Sequence, residues 1–132
     1  MRIFKNKWFA RFARKEAIAG ASLLEAVRLI ESGNYDADLG AGVFKQRVVR
    51  PGEGQSGGYR VILCCKREER AFFVYGFAKS GRANIAQDEI REFKKLAKIL
   101  FSMTDDQLEI MLQNGDFDEL SNMGGHIHDQ EL

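Results

Sequence analysis

Tyr59-Arg60-Val61-Ile62-Leu63-Cys64-Cys65-Lys66, then Arg67-Glu68-Glu69-Arg70, then Ala71-Phe72-Phe73-Val74-Tyr75-Gly76-Phe77-Ala78: two β-rich runs flank a charged four-residue turn. Branched and aromatic side chains dominate both runs, whereas four successive charges in the link call for water, so the pair reads as an antiparallel hairpin. Upstream, Val43 to Val49 sets Val43, Lys45, Arg47 and Val49 against Phe44, Gln46 and Val48, the period-2 pattern of a strand with one wetter, basic face. Between them, Arg50 to Gly58 holds the only proline and four of the 13 glycines, which predicts a flexible hairpin loop. Three strands in sequence with short links make an antiparallel meander.

Helices flank this meander in the sequence. Ile3 and Phe4 form a short apolar start, after which Lys7 to Ala19 places Trp8, Phe9, Phe12 and Ala13 at helical spacing with Arg11, Arg14 and Lys15 opposite. Ser22 and Glu25 have the form of a capping box for a second helix reaching Gly33, with Leu23, Val27 and Ile30 on its apolar stripe. Asn34 to Gly42 reads as a loop. Asn84 with Gln87 can cap a third helix carrying Ile90, Phe93, Leu96, Ala97 and Leu100. Thr104 with Gln107 caps a shorter one carrying Leu108, Met111 and Leu112, which stops at Asn114-Gly115. The expected class is α+β: a sheet with an N-terminal helical pair and C-terminal helices packed on it. Residues 1–115 form one domain in this reading, and 116–132 an acidic tail, mobile from Ser121 on because it has few apolar groups.

The chain has 132 residues, enough to bury a core without disulfides or metals. No apolar run approaches the roughly 20 residues of a membrane span, and no signal-peptide pattern opens the sequence, so a cytoplasmic protein is expected. The only two cysteines, Cys64 and Cys65, are adjacent, which disfavours an intrachain bridge and offers no zinc half-sites. Net charge is +1, yet the charges are segregated. Residues 1–100 hold all 20 Lys and Arg with 11 acidic residues, while residues 101–132 hold the remaining 8 acidic residues. A basic body predicts a polyanionic partner, and the acidic end can act as its internal counterweight.

Several chemistries are disfavoured. His126 and His128, the only histidines, lie in the tail, so neither a His-dependent triad nor a preorganised metal site is expected, and no metal or cofactor is assigned. Gly52-Glu53-Gly54 with Gly57-Gly58 lacks the GKS/T ending of a P-loop and leads into a strand. What remains is a set of cations on strands. Lys45 and Arg47 share a face, Arg60 follows Gly58, and Lys79 and Arg82 follow the aromatic strand. In a meander these side chains converge near one end of the sheet with Tyr59 or Tyr75, a combination suited to a backbone phosphate and the base beside it.

Three segments carry a family resemblance: Gly42-Val43-Phe44-Lys45-Gln46-Arg47-Val48, Gly57-Gly58-Tyr59-Arg60, and Phe72-Phe73-Val74-Tyr75-Gly76-Phe77-Ala78-Lys79-Ser80. With the opening Phe4-Lys5-Asn6-Lys7-Trp8-Phe9 and the closing Ala83-Asn84-Ile85, the chain resembles the RelE/ParE superfamily of type II toxin-antitoxin toxins, particularly its RelE/HigB-like branch, over about residues 1–115. The resemblance implies a curved antiparallel sheet with packed helices. It also implies a ribosome-dependent endoribonuclease that cleaves messenger RNA in the A site by attack of the ribose 2'-OH on the adjacent phosphate. The implied partners are the ribosome, messenger RNA and a cognate antitoxin, expected to be of helix-turn-helix type.

Within that reading Arg60 is the first candidate to stabilise the transition-state phosphate, because a guanidinium placed where charge develops gives differential binding. Lys45 or Lys79 serves as general base or holds the phosphate, since crowded cations release protons more readily. Arg47 and Arg82, with Tyr75 and Tyr59, are the substrate-binding candidates. The loop departs from some related toxins, placing Glu53 where they carry lysines, so no loop lysine is carried over. Two alternatives remain open at this stage: a ParE-like DNA gyrase inhibitor and a non-catalytic RNA-binding module.

Overall fold

The computed structural model describes residues 1–49, 58–82 and 84–120. In chain order the elements are β1 (Arg2–Asn6), α1 (Lys7–Lys15), α2 (Gly20–Glu31), β2 (Ala37–Gly40), β3 (Val43–Val48), β4 (Tyr59–Lys66), β5 (Arg70–Ala78), α3 (Gln87–Ser102), α4 (Asp105–Gln113) and β6 (Phe117–Leu120). The loop expected over Arg50–Gly58, Gly58 aside, and the tail expected from Ser121 lie outside the described residues. No helix among the described residues is long and apolar enough to cross a membrane.

The strand order is β2-β3-β4-β5-β1-β6. β3, β4 and β5 form the expected antiparallel meander. β1, however, pairs with β5 in parallel, with Phe4 opposite Phe72, so the sheet is mixed where an all-antiparallel one was expected. β1 itself was read only as a short apolar start, and two further strands were not anticipated. β2 pairs with β3 inside the stretch read as a loop, and β6 pairs antiparallel with β1. The sheet therefore takes in Phe117–Leu120, beyond the boundary expected at Gly115.

Helices cover both faces, which explains why β4 reads as a continuous apolar run: all of it except Lys66 is buried. On one face α1 and α2 deliver Phe9, Leu23, Val27 and Ile30 onto Ile3, Val61, Leu63 and Phe73. On the other, α3 and α4 deliver Ala97, Leu100 and Leu108 onto Phe4, Val43, Ile62 and Phe72. Gly42 is required where it stands. Its φ is +82°, and a Cβ there would lie 2.6 Å from the Phe101 ring.

Local chemistry sets the helix ends, in places differently from the expectation. Asn6 caps α1 by accepting from the Phe9 amide at 2.7 Å, while its own Nδ2 donates to the Val74 carbonyl. α1 stops at Lys15 instead of Ala19 because Ala17 turns left-handed at φ 57°, with the Ile18 amide reaching back to the Ala13 carbonyl at 2.9 Å. That is a Schellman closure built on alanine. It feeds the chain into α2 at Gly20, so Ala19 is the N-cap without a side-chain bond, and the Ser22/Glu25 box does not form. At α3 the N-cap is Ala86, whose amide donates to Glu89 Oε1 at 2.8 Å. Ile85 and Ile90 flank this cap within one apolar cluster, as a hydrophobic staple does. Asn84 is released for other bonds. The Thr104/Gln107 box at α4 forms as expected, with both hydrogen bonds present. Thr104→Ala is expected to lower stability by about 1 kcal/mol, read from the urea midpoint at unchanged slope.

Cys64 and Cys65 are both buried and free. Burial pushes each thiol up to about 12, with the Glu31 carboxylate adding to the effect at Cys65. Both remain thiols at neutral pH. A disulfide reagent at pH 7–8 is therefore expected to leave native protein unmodified and to titrate both sulfurs only after unfolding.

The acidic residues near the C-terminus spend their charge locally. Glu109 and Glu119 clasp Arg2 at 3.0 and 2.8 Å, and its hydrogen bond to Glu119 raises the Arg2 guanidinium further above its ordinary value. Asp105 meets Arg70 at 3.5 Å. Arg2 and Arg70 open β1 and β5, at the end of the sheet away from the cations described next, so these three carboxylates do not screen that cluster.

Candidate functional site

Register places the site. Arg60 on β4 lies between Arg47 on β3 and Phe77 on β5, and in the adjacent row Ile62 lies between Lys45 and Tyr75. Directly opposed residues share a face, and Ile62, Tyr75 and Phe77 all join the cluster beneath α3. A bulge makes this possible. Ile62 pairs with Tyr75 but Leu63 with Phe73, leaving Val74 as an extra residue. Phe73 consequently packs under α1 and α2, while Tyr75 and Phe77 are turned to the α3 side.

Five of the seven candidate residues thus gather on one face: Lys45, Arg47, Arg60, Tyr75 and Arg82. Arg60 is held nearly inside the protein, its side chain only 9% exposed, with Nε 3.1 Å from Asp36 Oδ2. Its Nη1 is buried with no hydrogen-bond partner among the described residues. Lys45 Nζ donates to Asn84 Oδ1 at 3.2 Å, and Arg82 Nε donates to the Asn84 carbonyl at 2.8 Å. Asn84, expected as a cap, is instead the bracket joining two cations. Arg82 also donates from Nη1 to the Tyr75 hydroxyl at 3.1 Å, pairs with Glu89 through Nη2, and lies 5.4 Å from the Phe77 ring centre.

Arg82 and Glu89 shift each other in the expected senses. The Glu89 hydrogen bond raises the Arg82 guanidinium, while the Ala86 amide, and after it Arg82, hold the Glu89 carboxyl below its ordinary range. A depressed carboxyl contributes its stabilisation above its unfolded value and loses it as pH falls through the folded one. The clamp on Arg82 is consequently intact at neutral pH and opens only on acidification below the usual carboxylate range.

Of the other two candidates, one lies on the opposite face and one just past the strand. Tyr59 points to the opposite face, 3% exposed, where its hydroxyl donates to Glu16 Oε1 at 2.8 Å and its ring meets Phe12 edge-on. Period-2 alternation was sufficient to separate it from its neighbour Arg60. Lys79 stands exposed just beyond β5, its amide reaching the Gly58 carbonyl at 3.4 Å. Tyr75 is present at the site but occupied, with its ring stacked 4.6 Å from Trp8 and tilted against Phe93 at 5.8 Å. A base would have to displace Trp8 to stack on that face.

Asp36, Asn84, Glu89 and Trp8 complete the surroundings, and none was anticipated in these roles. Their partners lie on other elements, so only the register discloses them. The arrangement is a cationic recess with one anchored, partly unsatisfied guanidinium, suited to the non-bridging oxygens of a phosphodiester.

A search among curated proteins returns no match. A family model described as the RelE toxin of the RelE/RelB toxin-antitoxin system matches residues 1–120, which span every element from β1 to β6. By that match, and with a mixed sheet between two helical layers to go with it, the chain belongs to the RelE toxin family.

Proposed function

We propose that this toxin is a ribosome-dependent messenger endonuclease that arrests translation by cleaving RNA in the A site. The observation that carries the reading is Arg60, fixed by Asp36 and flanked by Lys45, Arg47 and Arg82, with a buried Nη1 that has no partner among the described residues. A buried donor left unpaired is costly, and a phosphate oxygen is the ligand that relieves it.

In the reaction the 2'-oxygen of the ribose attacks the adjacent phosphorus and its proton passes to a lysine, Lys45 or Lys79. The bond from phosphorus to the 5'-oxygen breaks, and that oxygen takes up a proton, leaving a 2',3'-cyclic phosphate and a free 5'-hydroxyl. Negative charge grows on the non-bridging oxygens as attack proceeds. A guanidinium already held in place stabilises that charge without reorganising, which is the source of its rate effect. Arg82, braced by Tyr75, Asn84 and Glu89, and Arg47 beside Arg60 bind the flanking phosphates. No metal or cofactor enters the scheme.

Primer extension on a defined messenger in a purified translation system tests it, comparing wild type with Arg60→Ala with and without ribosomes. The expected result is cuts at A-site codons that need ribosomes and disappear in the variant. An intact message under conditions where wild type still arrests growth overturns the nuclease reading and directs attention to DNA gyrase.

A further inference from the structure

Asn84 places both of its oxygens inside the recess. Oδ1 accepts from Lys45 Nζ at 3.2 Å and from the Ile85 amide at 2.9 Å, while the main-chain carbonyl accepts from Arg82 Nε at 2.8 Å. The Ile85 amide can only donate, which fixes the orientation of the side-chain amide, so oxygen and not nitrogen faces the lysine. Arg82 carries the circuit on to the Tyr75 hydroxyl at 3.1 Å, and Tyr75 lies in the same row of the sheet as Lys45, across Ile62. One residue at the entry to α3 thus ties β3 to the segment after β5.

The other lysine is not restrained in this way. Lys79 is exposed, and among the described residues its side chain makes no hydrogen bond or ion pair. Lys45 is half-buried and stands one row from Arg60, about 7 Å along the strands. A phosphate seated on Arg60 and the 2'-hydroxyl beside it fit that spacing.

The charge of the acceptor decides what it does. A lysine takes up a proton only in its neutral form, through the nitrogen lone pair. An amide oxygen orients that nitrogen through one N–H and leaves the lone pair to the ribose. A carboxylate at the same point would pair with the ammonium and hold its proton. The charged and titratable groups around Lys45 suit this role. Arg47 and Arg60 stand in the next row, and Arg82 and Tyr75 close the far side. The carboxylates are engaged elsewhere: Asp36 by Arg60, Glu89 by Arg82, and Asp38 by the Gly40 amide. Lys94 of α3 reaches the sheet at Gly40, beside Val43, and Ala37, opposite Lys45 on β2, brings no charge.

We propose that Asn84 is a positioning residue: its uncharged side-chain oxygen aims Lys45 Nζ at the 2'-hydroxyl and makes Lys45, not Lys79, the proton acceptor. The inference rests on the nuclease reading and deepens it. The 2'-O–H bond breaks and its proton passes to the Lys45 nitrogen as the oxygen–phosphorus bond forms. The bond from phosphorus to the 5'-oxygen breaks, and that oxygen takes a proton from water.

Single-turnover cleavage of a defined messenger on ribosomes, followed with the full-length protein from about pH 6 to 9, tests it. Wild-type rates are expected to rise with pH along one limb. In Asn84→Asp the limb is expected to move up by about one pH unit, so that the rate falls about tenfold near neutrality and recovers above it. Asn84→Ala has no acceptor to offer and is expected to be about tenfold slower at every pH. A merely structural role would slow both variants in parallel and leave the limb in place. Lys45→Ala is expected to abolish the limb, whereas Lys79→Ala leaves its position unchanged. Asn84 is exposed, and urea midpoints close to wild type are expected for both of its variants. If wild type cuts and the limb stays put in Asn84→Asp, or if it vanishes in Lys79→Ala and persists in Lys45→Ala, this inference is overturned and the nuclease reading stands. A messenger left intact by wild type overturns the nuclease reading, and this inference with it.

Discussion

Arg60→Ala is expected to lower the single-turnover rate of messenger cleavage by about 10²–10³-fold, while shifting stability far less. The rate effect follows from removal of a preorganised donor at the position where charge develops. The small stability effect follows from the same geometry. Arg60 is buried with one nitrogen unpartnered among the described residues, and its partner Asp36 keeps 30% of its side chain in water, so truncation removes an imperfectly paired charge and strands no buried carboxylate. Arg60→Lys separates charge from shape. A single ammonium can meet Asp36 or a phosphate but cannot span both as the fork does, so most of the loss should persist. Cleavage rates measured beside urea midpoints on the same preparations decide it, and a rate loss matched by global unfolding would remove Arg60 from the chemistry.

Phe72→Ala is expected to be the most damaging single truncation in the core, at about 3–5 kcal/mol. Phe72 is fully buried on β5, stacked 4.9 Å from Phe4 on β1 and tilted against Phe117 on β6 at 5.5 Å. These rings join the first strand of the chain to the last one described, and the cavity left by Phe72 would loosen both. Against a typical total of about 5–15 kcal/mol, such a loss brings the protein close to unfolding at growth temperature. Thermal denaturation followed by circular dichroism should show a midpoint lower by at least about 10 °C, with Phe72→Leu recovering more than half of the deficit.

The meander was legible because β3, β4 and β5 each carry their own signal: alternation in β3, an apolar run in β4, aromatic density in β5. β2 and β6 were not. Ala37-Asp38-Leu39-Gly40 and Phe117-Asp118-Glu119-Leu120 are four residues each, mixed in polarity, and are strands only because a neighbouring edge presents unpaired amides to them. β1 and its parallel placement were hidden for the same reason, since Arg2–Asn6 showed only an apolar start at Ile3 and Phe4, with no sign of a strand or its partner. At the site, the cations were readable as a class of residue. Their restraints, Asp36 on Arg60 and Glu89 on Arg82, depend on how the chain folds back and leave no local trace. The Ser22/Glu25 box failed for a different reason: a turn on Ala17 had already started the helix.

The bulge at Val74 makes the strand two half-strands with opposite orientation. Everything before it presents one parity to α1 and α2, and everything after it the reverse, so one residue decides whether the sheet has a working side. Drawing Val74 into the ladder opposite Ile62 would leave the composition of the strand unchanged and still permit pairing with β4, yet it would exchange inside for outside from Tyr75 onward. Phe77 would leave Arg82, and Gly76, where Phe12 leaves no room for a side chain, would change sides. In this fold a single unpaired residue acts as a reading frame for the surface, and frame, more than residue content, is what a variant library across this strand should be scored on.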